Sequence, residues 1–463
     1  MYKNYNIVFT TLAFNQTVFF VGLAKELEKY GNKVHIITFH EDSCDYIKKS
    51  NISYYNVFEY KKDLKDEDIC ALFSNIVEKY NIENPNLILS HEKVAFNIKN
   101  TDEIIKKYIN YFNALENIFT SIKSVSNTPL ITIQELGGFT SILSTYFTSI
   151  KNNIDNIFIE PSFYRGRVFF VKNSLESINI VHNDIMPISS EVKDYLDNTL
   201  TEKKIVIPTK DKMGYKNPIN KIINLHNFKR FVQKIYSKLF LKRNEEFSYI
   251  GYHVKKHVKM LINQMILKNY YQDIPNEKFI YFPMHVPNDV ALTVRSPEYL
   301  DQLGLIYYIS RNLPLGYKLL IKEHPAMLGD IDRPRVIRLL ENDKNIVLLK
   351  PDINNFDVLN KADLIITINS KAGAEAVLNK KKVIVLGDAF YDKCQFIDKV
   401  EALSDLYKKI VQLLNSEYTN TNEEIYSFFQ SVWDKSYYGD LYFDDSENYK
   451  IFSKSLMDYL DEQ

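Results

Sequence analysis

Eleven short apolar runs, separated by amphipathic stretches, leave this chain few folds to choose from. In the first half they read "NIVFTT", "KVHIITF", "ISYYNVF", "NLILSHE", "PLITIQE" and "NIFIE"; between 277 and 415 they read "KFIYFPM", "KLLIKE", "NIVLL", "DLIIT" and "KVIVLGD". The runs are continuous rather than alternating, which predicts strands covered on both faces and therefore mostly parallel sheets. Stretches such as 62–80 and 103–124 carry apolar residues three and four apart, the spacing of helices packed on those sheets. A chain of 463 residues is too long for one ordinary core. Two doubly wound α/β domains in tandem satisfy both constraints.

Between the two sets of runs the chain changes character. Residues 210–270 show helical periodicity without strand signals, and carry fourteen Lys/Arg against three Asp/Glu. The whole chain balances 58 basic against 58 acidic residues, so this local +11 is hidden in the total. It reads either as a solvated linker helix or as a surface for an anionic partner, an acidic polysaccharide or the inner face of a membrane. The expected division is a first Rossmann-like domain at 1–205, a basic helical insertion at 206–275, a second Rossmann-like domain at 276–417, and C-terminal helices at 418–463. The last of these are expected to pack back on the first domain. Three scattered cysteines, Cys44, Cys70 and Cys394, supply neither a disulfide framework nor metal-ligand spacing. The N-terminus reads as strand, helix, strand rather than as a cleaved leader, and no run of about 18 uninterrupted apolar residues exists. The expected location is the cytoplasm, with peripheral contact at the inner membrane face through 210–270.

In open α/β sheets ligands bind outside the carboxyl ends of the strands. Two loops of the second half leave strands in a way that suits a nucleotide. "LIKEHPAM" (320–327) places His324 at a strand end and stiffens it with Pro325, which biases the histidine towards an extended backbone. "TINSKAGAEAV" (367–377) leads into a helix through Ser370, Lys371 and Gly373, with Glu375 one turn in to reach a ribose hydroxyl. Alone, the second loop also reads as an ordinary helix cap, and a histidine after a strand as structural. In the first half, "QELGGF" sets Glu135 at a strand end, the candidate base or nucleophile; Glu160 in "FIEPSFYRGR" is its rival. Arg165 and Arg167 suit bidentate binding of an acidic acceptor sugar, with surface ion pairs as the alternative. His91 ends the run "NLILSHE" and is placed in the same cleft, while His285 and Arg295 border the second-half site. Asp330 and Asp332 in "DID" read as helix caps, so no metal is assigned.

The stretches 279–392 ("YFPMHVPNDVALTVRSPEYLDQLGLIYYIS", "YKLLIKEHPAM", "ADLIITINSKAGAEAVLNKKKVIVLGDAFY") and, less closely, 132–170 resemble the capsule polysaccharide biosynthesis protein family, which includes retaining β-Kdo transferases. The resemblance implies a GT-B-like fold, two Rossmann-like domains facing a cleft, with the nucleotide held by the second. It places the family's His-Pro and Ser…Gly-x-Glu-Ala elements on His324, Pro325, Ser370, Gly373 and Glu375. The implied activity is transfer of a sugar from a nucleotide donor, CMP-Kdo first, to a surface glycan or lipid-linked glycan. No further cofactor and no nucleic acid are expected. Three other readings share these features: CDP-glycerol or ribitol-type phosphotransfer, nucleotide-sugar 2-epimerisation, and non-catalytic binding of polysaccharide or membrane. A Ser-Ser pair, usual in the first, is absent from "NSKAG", and the basic segment favours transfer over epimerisation.

Overall fold

The computed structural model describes residues 2–64, 67–125, 128–181, 185–203, 225–247 and 250–463. Thirteen strands form two sheets among these residues. The first holds β1 (Asn6–Thr11), β2 (Lys33–Thr38), β3 (Ser53–Asn56), β4 (Leu130–Glu135), β5 (Asp155–Pro161) and β6 (Arg167–Lys172). The second holds β7 (Phe279–Pro283), β8 (Lys318–Lys322), β9 (Ile346–Leu348), β10 (Leu364–Thr367), β11 (Val383–Val385) and β12 (Ile397–Lys399). A short thirteenth, β13 (Tyr437–Tyr438), returns from the far end of the chain to the edge of the first sheet.

The apolar runs became strands because both faces are covered. Every residue of β1, β7 and β10 is buried. The strand orders are β13-β6-β5-β4-β1-β2-β3 and β12-β11-β10-β7-β8-β9. Renumbered within each half, both contain 3-2-1-4-5, the doubly wound order. The second sheet is parallel throughout, whereas β6 and β13 run antiparallel at the edge of the first. In each sheet the order reverses beside its first strand, between β1 and β4 and between β7 and β10. Those two crevices are where a ligand is expected.

Two sequence expectations need correction. "NLILSHE" is not a strand but part of helix Pro85–Phe96. Asn84 caps it, accepting from the Leu87 N–H (3.2 Å), and Pro85 opens it without wasting a donor. Its buried residues, Ile88, Leu89, His91, Glu92, Ala95 and Phe96, follow the helical period. Conversely "RVFFVK", absent from the expected strands, forms β6. Of the basic segment, 206–224 and 248–249 lie outside the described residues; the described part contains helices Leu225–Leu239 and Ile250–Leu267.

The C-terminal helices join the two halves. Helix Asn422–Asp434 starts in a capping box between Thr421 and Glu424 and buries Phe428 and Phe429 completely. One apolar cluster runs from Phe158 and Phe163 of the first half through these phenylalanines to Tyr281 and Leu320 of the second. Each such ring contributes about 1.5–3 kcal/mol of burial. The Tyr164 hydroxyl also donates to the Phe429 carbonyl (2.7 Å). Helix Ser446–Asp461 then packs Phe452 and Leu456 with Phe19 and Leu23 of helix Phe14–Lys29.

Arg167 belongs to this junction and not to an acceptor site. Its guanidinium lies 3.9 Å from the Trp433 ring centroid and 4.0 Å from that of Tyr438. It donates to Ser436 Oγ (2.8 Å), to the Trp433 carbonyl (3.0 Å) and to the Ser436 carbonyl. Through these bonds and its two stacked rings the buried cation rivets β6 to the C-terminal segment. Arg165, in the preceding turn, is exposed, its backbone N–H donating to the Tyr195 hydroxyl (3.1 Å).

Candidate functional site

Three loops leave the carboxyl edge of the second sheet beside its crevice, after β7, β8 and β10. His285, two residues past β7, joins them. Its backbone N–H donates to Gln302 Oε1 (2.8 Å), and Gln302 Nε2 returns a bond to its carbonyl (3.2 Å). The Asn369 N–H of the β10 loop donates to His285 Nε2 (3.4 Å). Burial pushes this imidazole down from 6.5 to about 4, with Asp289 opposing and His324 of the β8 loop adding to the fall. His285 is therefore neutral at pH 7, placed between the two loops that the sequence singled out. His285 and His324 line one cavity of about 260 Å³.

The "EHP" triplet divides its work. Glu323 is buried and accepts from the Tyr271 hydroxyl (2.6 Å) and the Gly329 N–H (2.7 Å), which closes the loop on itself. Burial raises its pKa. His324 accepts the Ala326 N–H at Nδ1 (3.2 Å), so its proton sits on Nε2 in the neutral ring. Across the cavity stand Lys256 and Lys259 of helix Ile250–Leu267, which the sequence reading did not assign to the site. Their spacing of three residues, one helical face, was the available signal. Both carboxylates of "DID" have other partners: Asp330 pairs with Lys256 (2.8 Å), and Asp332 caps helix Arg333–Asn342 through the Arg335 N–H (3.3 Å).

The β10 loop is partly as expected. Ser370 is the N-cap of helix Lys371–Leu378, accepting from the Ala372 N–H (3.2 Å). Gly373 does not open room for a phosphate: a Cβ there would collide with the Tyr391 hydroxyl, which donates to the Ser370 carbonyl. Lys371 reaches out of the domain, donating from Nζ to the Ser162 carbonyl just past β5 (2.7 Å). Glu375 is buried beneath the loop and accepts from Asn355 Nδ2 (2.7 Å), whose Oδ1 accepts from the Tyr281 hydroxyl (2.8 Å). Burial pushes its carboxyl up from 4.5 to about 7, while Asn355, Lys371 and Lys322 hold it down. A carboxylate poised near neutrality in a crevice is the kind of perturbed group that marks functional sites.

The first domain faces this edge with its own carboxyl ends. Glu135 ends β4 in the β1/β4 crevice, half-buried, accepting from the Tyr442 hydroxyl (2.6 Å) and Gln16 Nε2 (3.3 Å). Glu160, at the end of β5, is committed elsewhere. It takes both terminal nitrogens of Arg295 (2.9 and 2.5 Å), forming a bidentate pair across the cleft. Arg295 also donates to the carbonyls of Leu175 and Glu176 (both 2.9 Å). The rival carboxylate and the expected donor-binding arginine thus hold each other and the two halves. His91 lies at the cleft, but from a helix. It is buried, its Nδ1 is 2.7 Å from Thr293 Oγ1, and burial pushes it down to about 4. Its ring fills the space where Gly138 lacks a Cβ.

A buried charge cluster was not foreseen. Glu92 and Glu246 share Lys107 (2.9 and 3.1 Å) at the N-terminus of helix Thr140–Lys151. Thr140 N–H donates to Glu92 (2.9 Å), and Ser141 Oγ to Glu246 (3.0 Å). Burial opposes ionisation of both carboxyls; the pull of Lys107 and the bonds from Thr140 keep Glu92 below its usual value, whereas Glu246 stays above. Glu246 comes from the basic segment, so that segment is anchored in the first domain through an acid.

Two doubly wound sheets with their crevice edges across one cleft make a GT-B-type protein. Residues 179–400 match the capsule polysaccharide biosynthesis protein family. It is 30% identical over 118 residues to Protein FixF of Sinorhizobium fredii, and 32% identical over 99 residues to the capsule polysaccharide export protein KpsS of Escherichia coli. Those matches cover 25% and 20% of this chain, and 27% and 25%, about a quarter, of the relatives' own length. Among solved structures it is similar to the β-Kdo 2,7 transferase of Thermosulfurimonas dismutans KpsC, at 13% identity and a TM-score of 0.34, over 74% of this chain and 89% of that one. It is also similar to the UDP-GlcNAc 2-epimerase of Methanocaldococcus jannaschii, at 13% identity and a TM-score of 0.28, over 98% and 99%.

Proposed function

We propose that the chain is a glycosyltransferase of surface-polysaccharide synthesis, taking a sugar from a nucleotide donor and passing it to a glycan acceptor. The observation that carries this reading is His285, an imidazole buried at the switch point, bonded to the β10 loop and lining one cavity with His324 of the β8 loop. The nucleotide lies against the β8 and β10 loops. Its phosphate is met by the N-terminus of helix Lys371–Leu378, by Lys371 and by His324, and its ribose by Glu375. The acceptor enters from the first domain, where Glu135 acts as base or nucleophile. CMP-Kdo is the first donor to try, on the family resemblance.

Positive charge and oriented N–H groups stabilise the departing phosphate in this scheme, and the "DID" carboxylates are tied to Lys256 and to a helix cap. Transfer is therefore expected to persist in excess EDTA. The assay incubates the chain with CMP-Kdo and a capsular oligosaccharide and follows free CMP against extended acceptor, with and without chelator. Loss of activity restored by Mg²⁺ would overturn the leaving-group chemistry. Conversion of a nucleotide sugar to its 2-epimer without any acceptor would overturn the transfer reading itself.

A further inference from the structure

The two helices of the basic segment carry a surface that the transfer scheme does not use. Helix Ile250–Leu267 turns Met260, Asn263 and Leu267 inward, and Asn263 Nδ2 donates to the carbonyls of Gly329 (2.9 Å) and Ile331 (3.1 Å). Its opposite face should be polar on a freely soluble domain. Instead it presents Val254, Val258, Ile262 and Met265, which are 47%, 49%, 47% and 76% exposed. The end of helix Leu225–Leu239 does the same. There Leu239, Phe240 and Leu241 stand 68%, 72% and 45% exposed between Lys238 and Lys242. Apolar exposure concentrated on one helix face in this way marks an interaction surface.

The charges around it select the partner. Neither helix contains an Asp or Glu, and Lys242, Lys255 and Lys268 are exposed beside the apolar residues. The acids of the intervening loop are already used: Glu245 pairs with Lys234 (2.9 Å) and Glu246 is buried with Lys107. A second copy of this chain would set lysines against lysines. We infer that this face docks on a bilayer rich in anionic phospholipid, the apolar side chains entering the headgroup region and the lysines meeting phosphates. Not all of the +11 takes part, since Arg243 pairs with Asp42 (3.0 Å) and Asp45 (2.9 Å) of the first domain. The inner face of helix Ile250–Leu267 lines the His285/His324 cavity, so docking would hold that cavity close above the lipid.

Flotation of the full chain with phosphatidylcholine vesicles, with and without phosphatidylglycerol, tests this. Binding is expected only to the anionic vesicles and to weaken with salt. Lys242→Gln/Lys255→Gln/Lys268→Gln should weaken it on the order of a hundredfold, at roughly 1 kcal/mol per lysine. Leu239→Ser/Phe240→Ser/Leu241→Ser should weaken it more than about tenfold, and a thermal melt matching that of the unsubstituted chain shows that these exposed changes leave the fold intact. Absence of vesicle binding, or binding by both variants as tight as that of the unsubstituted chain, overturns the proposal. Sedimentation showing a dimer that the apolar variant dissociates, with no vesicle binding, would assign the face to a second copy instead.

Discussion

Glu135→Gln is expected to cut single-turnover transfer by at least about 10²–10⁴-fold while leaving donor affinity nearly intact. Glu135 ends β4 in the crevice beside β1, on the edge of the first sheet that faces the nucleotide loops. The substitution keeps the shape of the side chain and an oxygen for the Tyr442 hydroxyl, so the fold around β4 is retained. What it removes is the ionisable carboxylate that the proposed function uses as base or nucleophile. Glu160 cannot substitute, because both its oxygens are held by Arg295. Its conversion to Gln should loosen the cleft rather than abolish chemistry. Single-turnover rates at saturating donor measure the effect. Near-normal turnover in Glu135→Gln, with loss in Glu160→Gln, would move the catalytic carboxylate to β5.

Glu375→Gln is expected to stabilise the free protein while weakening it as an enzyme. With a folded pKa near 7 against 4.5 unfolded, the native state binds a proton that the unfolded state has already released between those values. Stability therefore falls as pH rises from about 4.5 to 7 and levels off above, a loss of about 3 kcal/mol from this one buried group. Glutamine keeps an acceptor for Asn355 and removes the ionisation. At pH 8 the variant should be more stable than the natural chain by about 3 kcal/mol, and at pH 4 the two should agree. Denaturant unfolding across pH 4–8 measures this. Parallel curves for the two proteins would show that Glu375 does not titrate in this window. A residue whose removal stabilises the fold is a candidate for a binding role, and the proposed function gives Glu375 the donor ribose.

The fold was legible wherever burial on both faces writes itself into composition. β1, β4, β7, β8 and β10 all lie within the expected runs, because a strand covered on both sides favours apolar residues at consecutive positions. "NLILSHE" misled because three apolar residues in a row suit either a strand or a buried helix. Asn84-Pro85 before them, a cap followed by the residue favoured at the first helical position, was the deciding signal. Pairings between distant residues were not legible at all. Nothing in the sequence announces that Glu160 meets Arg295, that Arg167 stacks on Trp433, or that Glu246 enters the first domain. Each of these contacts is made by a charged residue equally at home in solvent, and only the assembled fold supplies its partner. The site shows the same division: His324, Ser370 and Lys371 are placed by local rules at strand ends and a helix start, whereas tertiary packing brings Lys256 and Lys259 to the cavity that His324 lines.

The central claim is that the loops after β8 and β10 hold one nucleotide. Titration calorimetry of CMP, CDP, UDP and GDP into the natural chain, His324→Ala and Lys371→Ala tests it most directly. One of the four nucleotides should bind at a single site. Each substitution should weaken that same binding by about 1.5–3 kcal/mol, roughly 10- to 150-fold, the value of one charge-assisted contact. No binding by any nucleotide, or a loss confined to one of the two variants, would contradict it.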